Sequence, residues 1–258
     1  MLSGICEVIW YDFNMKTKIF HTVNAGLYLS AERTNLLIDG IHTGTSEGMS
    51  MMPEELNVAL EKGKGLFECL HGLIFTHLHA DHYYADGIRK AMHRSPETAL
   101  FGPGLKKNLS EYMETSERQT FTIGEFQIFA YPTMHSGEIY KEVPHRSFLI
   151  RNTSGNEAVF IAGDAIFDPA LAEKIQKEVA WATGRPRMAA AFINIFQLIE
   201  RPSIDFLKEL DPERLFLYHR PEKKDDRFSY LPLIRSTLRN SPLPDRMIEI
   251  PEHMTAVL

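Results

Sequence analysis

One stretch constrains this chain more than any other: Gly72-Leu73-Ile74-Phe75-Thr76-His77-Leu78-His79-Ala80-Asp81-His82. Leu73, Ile74, Phe75 and Thr76 make a short apolar and β-branched run, the pattern of a buried strand. The run stops abruptly at side chains that bind metals. Three of the chain's 11 histidines and one aspartate fall within six residues. Imidazole nitrogen and carboxylate oxygen are good ligands for zinc, manganese and iron. His77 and His79, two apart at a strand end, point the same way and can reach one ion. Asp81 and His82 are adjacent, open the following helix and aim elsewhere, so the cluster can serve two neighbouring ions. The plainer alternative is a histidine-rich surface loop, but packing alone gives no reason for a buried strand to end in four convergent ligands.

The same arrangement returns further along. Thr120 to Tyr131 alternates around Gly124 as a hairpin of half-buried strands and leads to a loop, Pro132-Thr133-Met134-His135-Ser136-Gly137. Alone, His135 reads as a solvated turn residue; after the first cluster it reads as a ligand. A second apolar strand from Ala158 ends in Gly163-Asp164, where glycine lets the backbone turn sharply. Asp164 is then either a ligand or a cap on the next turn. A third strand, Leu215 to Tyr218, ends in His219-Arg220.

Between these motifs the pattern is of strand groups followed by helices. Ile5–Phe13, Ile19–Val23, Leu27–Leu29 and Leu36–Asp39 are spaced as an antiparallel meander. Pro53 and two glutamates suit a helix start, and Lys62-Gly63 its end. Helices are expected over Tyr83–His93, Leu105–Met113, Ala170–Trp181, Asp205–Leu210 and Ser229–Leu238. Strands are expected over Met188–Leu198, with Asn194 the lone strong polar group in its core, and Met247–Ile250. Ile41–Met52 is a loop; its His42 reads as a solvated residue or a substrate contact, and Met49, Met51 and Met52 as a flexible apolar lid or packing beneath it. No linker divides the chain, so residues 1–258 are expected to form one domain with two similar halves.

The formal charge of −6 argues against a general polyanion binder and weighs against long nucleic acids as partners. Cys6 and Cys69 stand apart, as buried thiols of a reducing compartment do. No basic segment leads into an apolar one at the N-terminus, and no apolar run approaches a membrane span. A cytoplasmic protein acting on a small molecule is the expectation, with homo-oligomerisation left open.

The H-x-H-x-D-H motif, with the later His135, Asp164 and His219 in order at strand ends, resembles the metallo-β-lactamase-fold hydrolases over roughly Ile19 to Arg220. The Leu-Ile-Asp-Gly run at residues 37–40 looks like the same family. The resemblance implies an α+β fold, a four-layer αββα sandwich of two mixed β-sheets flanked by helices. It implies that His77, His79 and His135 hold one ion, that Asp81, His82 and His219 hold a second, and that Asp164 bridges. It implies two divalent metal ions, zinc in the first instance with manganese or iron as alternatives, and a bridging hydroxide attacking an ester, lactone or phosphoester.

Asp81 and Asp164 would carry ligand charge and orient the nucleophile. His145, in a His-x-Ser-Phe-Leu-Ile context similar to the ascorbate-phosphate lactonase branch, would bind a phosphate or protonate a leaving group, or be a strand-edge histidine with an ordinary partner. Tyr140, His42, Tyr83 and Arg220 are further candidates for substrate contact. Fold does not choose among reactions. A phosphodiesterase or nuclease, a di-iron redox protein and a metal-stabilised binding protein are the competing readings.

Overall fold

A computed structural model describes residues 16–43, 48–155, 157–183, 188–243 and 248–257. The strand expected over Ile5–Phe13, and Cys6 with it, lie outside the described residues.

The first sheet opens with the expected meander, β1 (Lys18–His21), β2 (Leu27–Ser30) and β3 (Asn35–Ile38), paired antiparallel. Helix α1 (Glu54–Lys62) then carries the chain to β4 (Gly72–Ile74), parallel to β3, and α2 (Ala85–Arg94) carries it to β5 (Ala99–Gly102), parallel to β4. Helix α1 ends where expected, at Gly63 in the left-handed conformation, φ 60°. A short strand β6 (Leu105–Lys107) folds back on β5, and the C-terminal strand Thr255–Ala256 pairs with β1 to complete seven strands.

The second sheet repeats the plan. Strands β7 (Ser110–Glu114), β8 (Gln119–Ile123), β9 (Phe126–His135), β10 (His145–Asn152) and β11 (Glu157–Ile161) pair antiparallel in sequence. A two-residue strand β12 (Ala165–Ile166) pairs with the end of β9. Helix α3 (Pro169–Thr183), β13 (Met188–Ile193), α4 (Arg201–Leu210), β14 (Arg214–Leu217), α5 (Tyr230–Asn240) and β15 (Ile248–Glu249) follow, and β11, β13, β14 and β15 run parallel.

Strand alternation makes four layers of this. On β11, Val159 and Ile161 belong to the core between the sheets, while Ala158 and Phe160 join Ile175, Phe206 and Ile234 under α3, α4 and α5. On β3 and β4, Leu36, Ile38 and Ile74 face the same central core, while Leu37 and Leu73 pack with Leu56, Leu60 and Ile88 under α1 and α2. The central strands of both sheets are therefore buried on both faces, which explains why these strands read as continuous apolar runs. Each buried leucine, isoleucine or phenylalanine contributes roughly 1.5–3 kcal/mol over its exposed state.

Four expectations differ. Leu105–Met113 is not a helix but β6 and the start of β7. Gly104 (φ 74°) and Asn108 (φ 54°) turn the chain there, and sheet pairing at two edges overrides the helical propensity of the segment. The Met188 strand stops at Ile193, because the Asn194 side chain accepts from the Phe196 N–H and starts a single 3₁₀ turn, Ile195–Leu198. Asp81 and His82 lie in the turn before α2 rather than at its start. Cys69 is exposed, not buried. Among the described residues no helix is long and apolar enough to cross a membrane.

Candidate metal centre

The parallel strands of each sheet end at one edge, and the connections that follow them converge there. In open α/β arrangements this is where ligands bind, because chain leaving a strand end is free to splay. His77, His79, Asp81 and His82 leave β4; Asp164 follows β11; Asn194 follows β13; His219 follows β14. His135 comes from the last residue of β9 rather than from a loop, and pairs with Ala165.

These side chains form two groups. One ligand atom each from His77, His79 and His135 lie within 4.8 Å of one another, and so do one each from Asp81, His82, Asp164 and His219. The resemblance divides the same residues between two ions, with Asp164 shared by both rather than belonging to the second group. Asp164 stands between them: its Oδ2 is 3.9 Å from His77 Nε2, 3.8 Å from His135 Nε2 and 3.6 Å from His82 Nε2.

The donor chemistry fits cations. His135 Nδ1 donates to the Ser136 carbonyl at 2.6 Å, so its Nε2 is left as a lone pair. That lone pair approaches His77 Nε2 at 3.3 Å, and His77 Nε2 lies 3.1 Å from His79 Nδ1. Burial holds the His77 imidazole well below its ordinary pKa, and holds His79 down too, with neighbouring histidines adding to the effect. Neutral imidazoles crowded nitrogen to nitrogen suit a shared cation. In the second group, Asp81 Oδ1 and His82 Nε2 are buried without a hydrogen-bond partner. Buried polar atoms left in this way are costly unless something outside the chain satisfies them.

Burial opposes protonation of His219, but Asp164 and Asp81 outweigh it and raise the imidazole to about 9. Its two nitrogens lie 3.0 Å from Asp164 Oδ1 and 3.2 Å from Asp81 Oδ2. Burial likewise opposes ionisation of Asp81, yet His82 and His219 hold it at about 2. His82 is raised well above its ordinary value, against burial, by Asp39, Asp81 and Asp164.

The surrounding shell fixes these orientations. Asp39, fully buried and left-handed at φ 49°, accepts from the Thr76 N–H at 2.9 Å and the Thr76 hydroxyl at 2.6 Å, and its Oδ2 lies 3.0 Å from His82 Nδ1. A carboxylate behind a histidine sets its tautomer, so that Nε2 faces the site. Asn194 Nδ2 donates to Asp164 Oδ1 at 2.8 Å, and the Ser136 N–H donates to the Asp164 carbonyl at 2.7 Å.

The candidates for substrate contact fall in different places. His145 does not reach the groove: it is 1% exposed, its Nδ1 lies 2.7 Å from Thr133 Oγ1, and its Nε2 accepts the Asp164 N–H at 3.0 Å. It fixes the Asp164 turn. A side chain at Gly163 (φ 59°) would place its Cβ 2.6 Å from His145 Nε2. His42 is buried, neither at a mouth nor solvated; desolvation lowers it to about 3, and its ring nitrogens make no hydrogen bond of normal geometry. Tyr83 packs edge-on against Phe75 in the core under α1 and α2. Arg220 donates to the Pro251 carbonyl at 2.9 Å. Tyr140 alone of the five lines the groove, its ring 5.0 Å from His79 and 5.2 Å from His135.

The groove has a volume of about 310 Å³, and His79, Asp81, His135, Asp164 and His219 form its floor. Met49, Phe196, Glu200 and Tyr230 join Tyr140 in its walls. Of these, only Met49 has a sequence signal, the methionine-rich loop; Met52 is core and Met51 exposed. Asp39 and Asn194 sit at strand ends, a positional signal that periodicity does not rank above ordinary turn residues.

No protein-family model matches the sequence, and no curated protein matches it. Solved structures do match in three dimensions. CmlA, a diiron β-hydroxylase from Streptomyces venezuelae, aligns with a TM-score of 0.57 and 13% identity over 96% of this chain and 55% of its own. This chain thus spans about half of that protein. A protein described as a metal-dependent hydrolase from Parabacteroides distasonis aligns at 0.55 and 14% identity, over 96% of this chain and 99% of its own. A metallo hydrolase from the archaeon Ignicoccus hospitalis gives 0.54 and 15%, over 93% and 97%. Two mixed sheets back to back, helices outside, and a cluster of candidate ligands where the parallel strands end: the chain has the αββα metallo-β-lactamase fold.

Proposed function

We propose that this protein is a dinuclear metal-dependent hydrolase of a small-molecule ester, lactone or phosphoester, with zinc as the metal. The observation that carries the reading is the pair of ligand groups on the floor of one groove, with the Asp164 carboxylate facing both. His77, His79 and His135 would hold one ion, Asp81, His82 and His219 the other, and Asp164 both. When bound, such a pair supplies Lewis acidity, bringing the pKa of water towards neutrality and polarising a carbonyl or phosphoryl oxygen.

The chain's own residues do the rest. Asp39 and the Ser136 carbonyl fix the tautomers of His82 and His135. Asn194 and His145 hold Asp164 through a side-chain oxygen and its backbone N–H. The Asp81 and Asp164 carboxylates, both held ionised against burial by the neighbouring histidines, would carry ligand charge and orient the attacking water. Met49, Phe196 and Tyr230 exclude bulk water from the groove. The likeness to a diiron β-hydroxylase favours one second reading, oxidation with iron at both positions.

Metal analysis of untreated protein, followed by a panel of carboxylic esters, lactones and phosphodiesters with each ion restored after chelation, tests the proposal. Two equivalents of metal and metal-dependent turnover of one class are expected. Two bound ions without turnover of any class would overturn it, and oxygen uptake by an iron-loaded protein would favour the second reading.

A further inference from the structure

The walls of the groove, rather than its floor, say what kind of molecule it takes. Among the described residues that line it there is no lysine and no arginine. A phosphate or carboxylate on a substrate would meet no cationic side chain there, the usual means of holding such groups. The walls instead carry one further acid, Glu200. Its half-buried carboxylate has no hydrogen bond or ion pair among the described residues and does not cap the helix α4 that it precedes. A helix N-terminus attracts anions; here the protein's own Glu200 brings negative charge to it.

Glu200 lines the groove together with Tyr140, Phe196 and Tyr230. Its N–H donates to the Phe196 carbonyl at 3.1 Å, an i to i+4 bond that puts Phe196 and Glu200 on one side of a turn. The Phe196 ring meets Tyr230 edge-on, 6.4 Å between centroids. Aromatic faces beside a carboxylate attract a cation that is also greasy. Exposed apolar side chains lie close by in sequence: Ile139, Ile199 and Phe228, each next to or two from a lining residue, are 82%, 47% and 64% exposed.

Resting on the hydrolase reading above, we infer that the substrate is a carboxylic ester, lactone or amide with an apolar body and a cationic amino or ammonium group, and that Glu200, with Phe196 and Tyr230, recognises the cation. The reaction consumes one water: the acyl–oxygen or acyl–nitrogen bond breaks, the water oxygen joins the acyl carbon, and the leaving alcohol or amine takes the proton. The same wall disfavours a phosphate held away from the ions.

Matched aryl acetates test this in the metal-loaded protein: 3-(trimethylammonio)phenyl acetate, its neutral isostere 3-tert-butylphenyl acetate, and the anionic 3-acetoxybenzoate. The expected ratio of kcat/KM, cationic over neutral, is about tenfold or more, with the anion slowest. Glu200→Gln should bring the cationic-to-neutral ratio close to one. In parallel, phenyltrimethylammonium is titrated calorimetrically into wild-type and Glu200→Gln protein, both checked by circular dichroism. Weaker binding to the variant is expected. A ratio of one or below in the wild type, or a preference for the anion, overturns the inference while leaving the hydrolase intact. If none of the three is turned over, the titration decides alone, and equal binding of the ammonium probe by both proteins overturns it.

Discussion

The two ligand groups share a groove but are built on opposite electrostatic plans. His77, His79 and His135 bring three imidazoles and no carboxylate, and burial keeps His77 neutral. Asp81, His82, Asp164 and His219 bring two carboxylates, whose negative charge, with that of Asp39 behind His82, draws protons onto His82 and His219. His79 is partly open to the groove, whereas all four residues of the second group are buried. The difference teaches what an ion must do to bind. At the first group it meets vacant lone pairs; at the second it must displace protons already held between carboxylates, and it gains their charge in return.

The largest expected effects come from removing one ligand from each group. Asp164→Ala takes away the carboxylate that faces both, and leaves His219 without its main charge partner. Turnover should fall about 10³-fold or more, with loss of metal from both positions. His79→Ala removes one of three neutral donors and should cost about 10²-fold, with metal lost from the first position. Metal content and kcat measured side by side test the ranking. Wild-type rates in Asp164→Ala would end the bridging assignment, and a His79→Ala variant that loses both metals would erase the distinction between the groups.

Next comes a change that touches only the second group, and only from behind. Asp39 contacts no ligand atom that faces the groove, yet it holds His82 Nδ1 and the Thr76 loop. Asp39→Asn keeps the shape and removes the charge. Metal affinity at the second position should fall about 10–100-fold, with the first little changed. Stepwise chelation followed by metal analysis reads this directly; equal weakening at both positions would show that Asp39 supports the edge as a whole.

How much of this could be read from the chain follows from how local each signal is. The candidate ligands were legible because they follow apolar runs, where strand periodicity breaks into polar chemistry. The layered fold followed from resemblance, since strands buried on both faces lose the alternation that would assign sides; Val159 and Phe160 differ in which core they enter, not in character. The Leu105–Met113 segment misled because its helical composition is local, while its two edge pairings join it to strands distant in space. His145 looked like a substrate group because it follows the third ligand, but β10 turns it inward, beneath Asp164. Glu200 and Tyr230 left no signal: they reach the groove from elements separated by 30 positions, and only packing brings them together.

The smallest effect, and the one that most sharpens the contrast, is the pH dependence of metal-free stability. His219 titrates at about 9 in the fold against an ordinary value of 6.5, so the stability it contributes is complete below 6.5 and is lost as pH rises through 9. Asp81, held at about 2 against 3.8, contributes above 3.8 and fails only below 2, outside the working range. His77, lowered by burial, acts oppositely: unfolded chain binds protons more readily than folded, so stability falls as pH drops below 6.5. The metal-free protein should therefore melt highest near pH 6.5 and lose a few degrees towards either pH 5 or pH 9. Asp164→Asn should flatten the alkaline limb, since Asp164 is the main cause of the raised His219, and deepen the acid limb, since Asp164 also raises His77 against burial. Restoring metal should also abolish the alkaline loss, because the ion replaces the protons that leave. A metal-free melting temperature that stays level from pH 6.5 to 9 would mean that the second group holds no displaceable protons, and that the two groups differ in composition but not in the way they take up a cation.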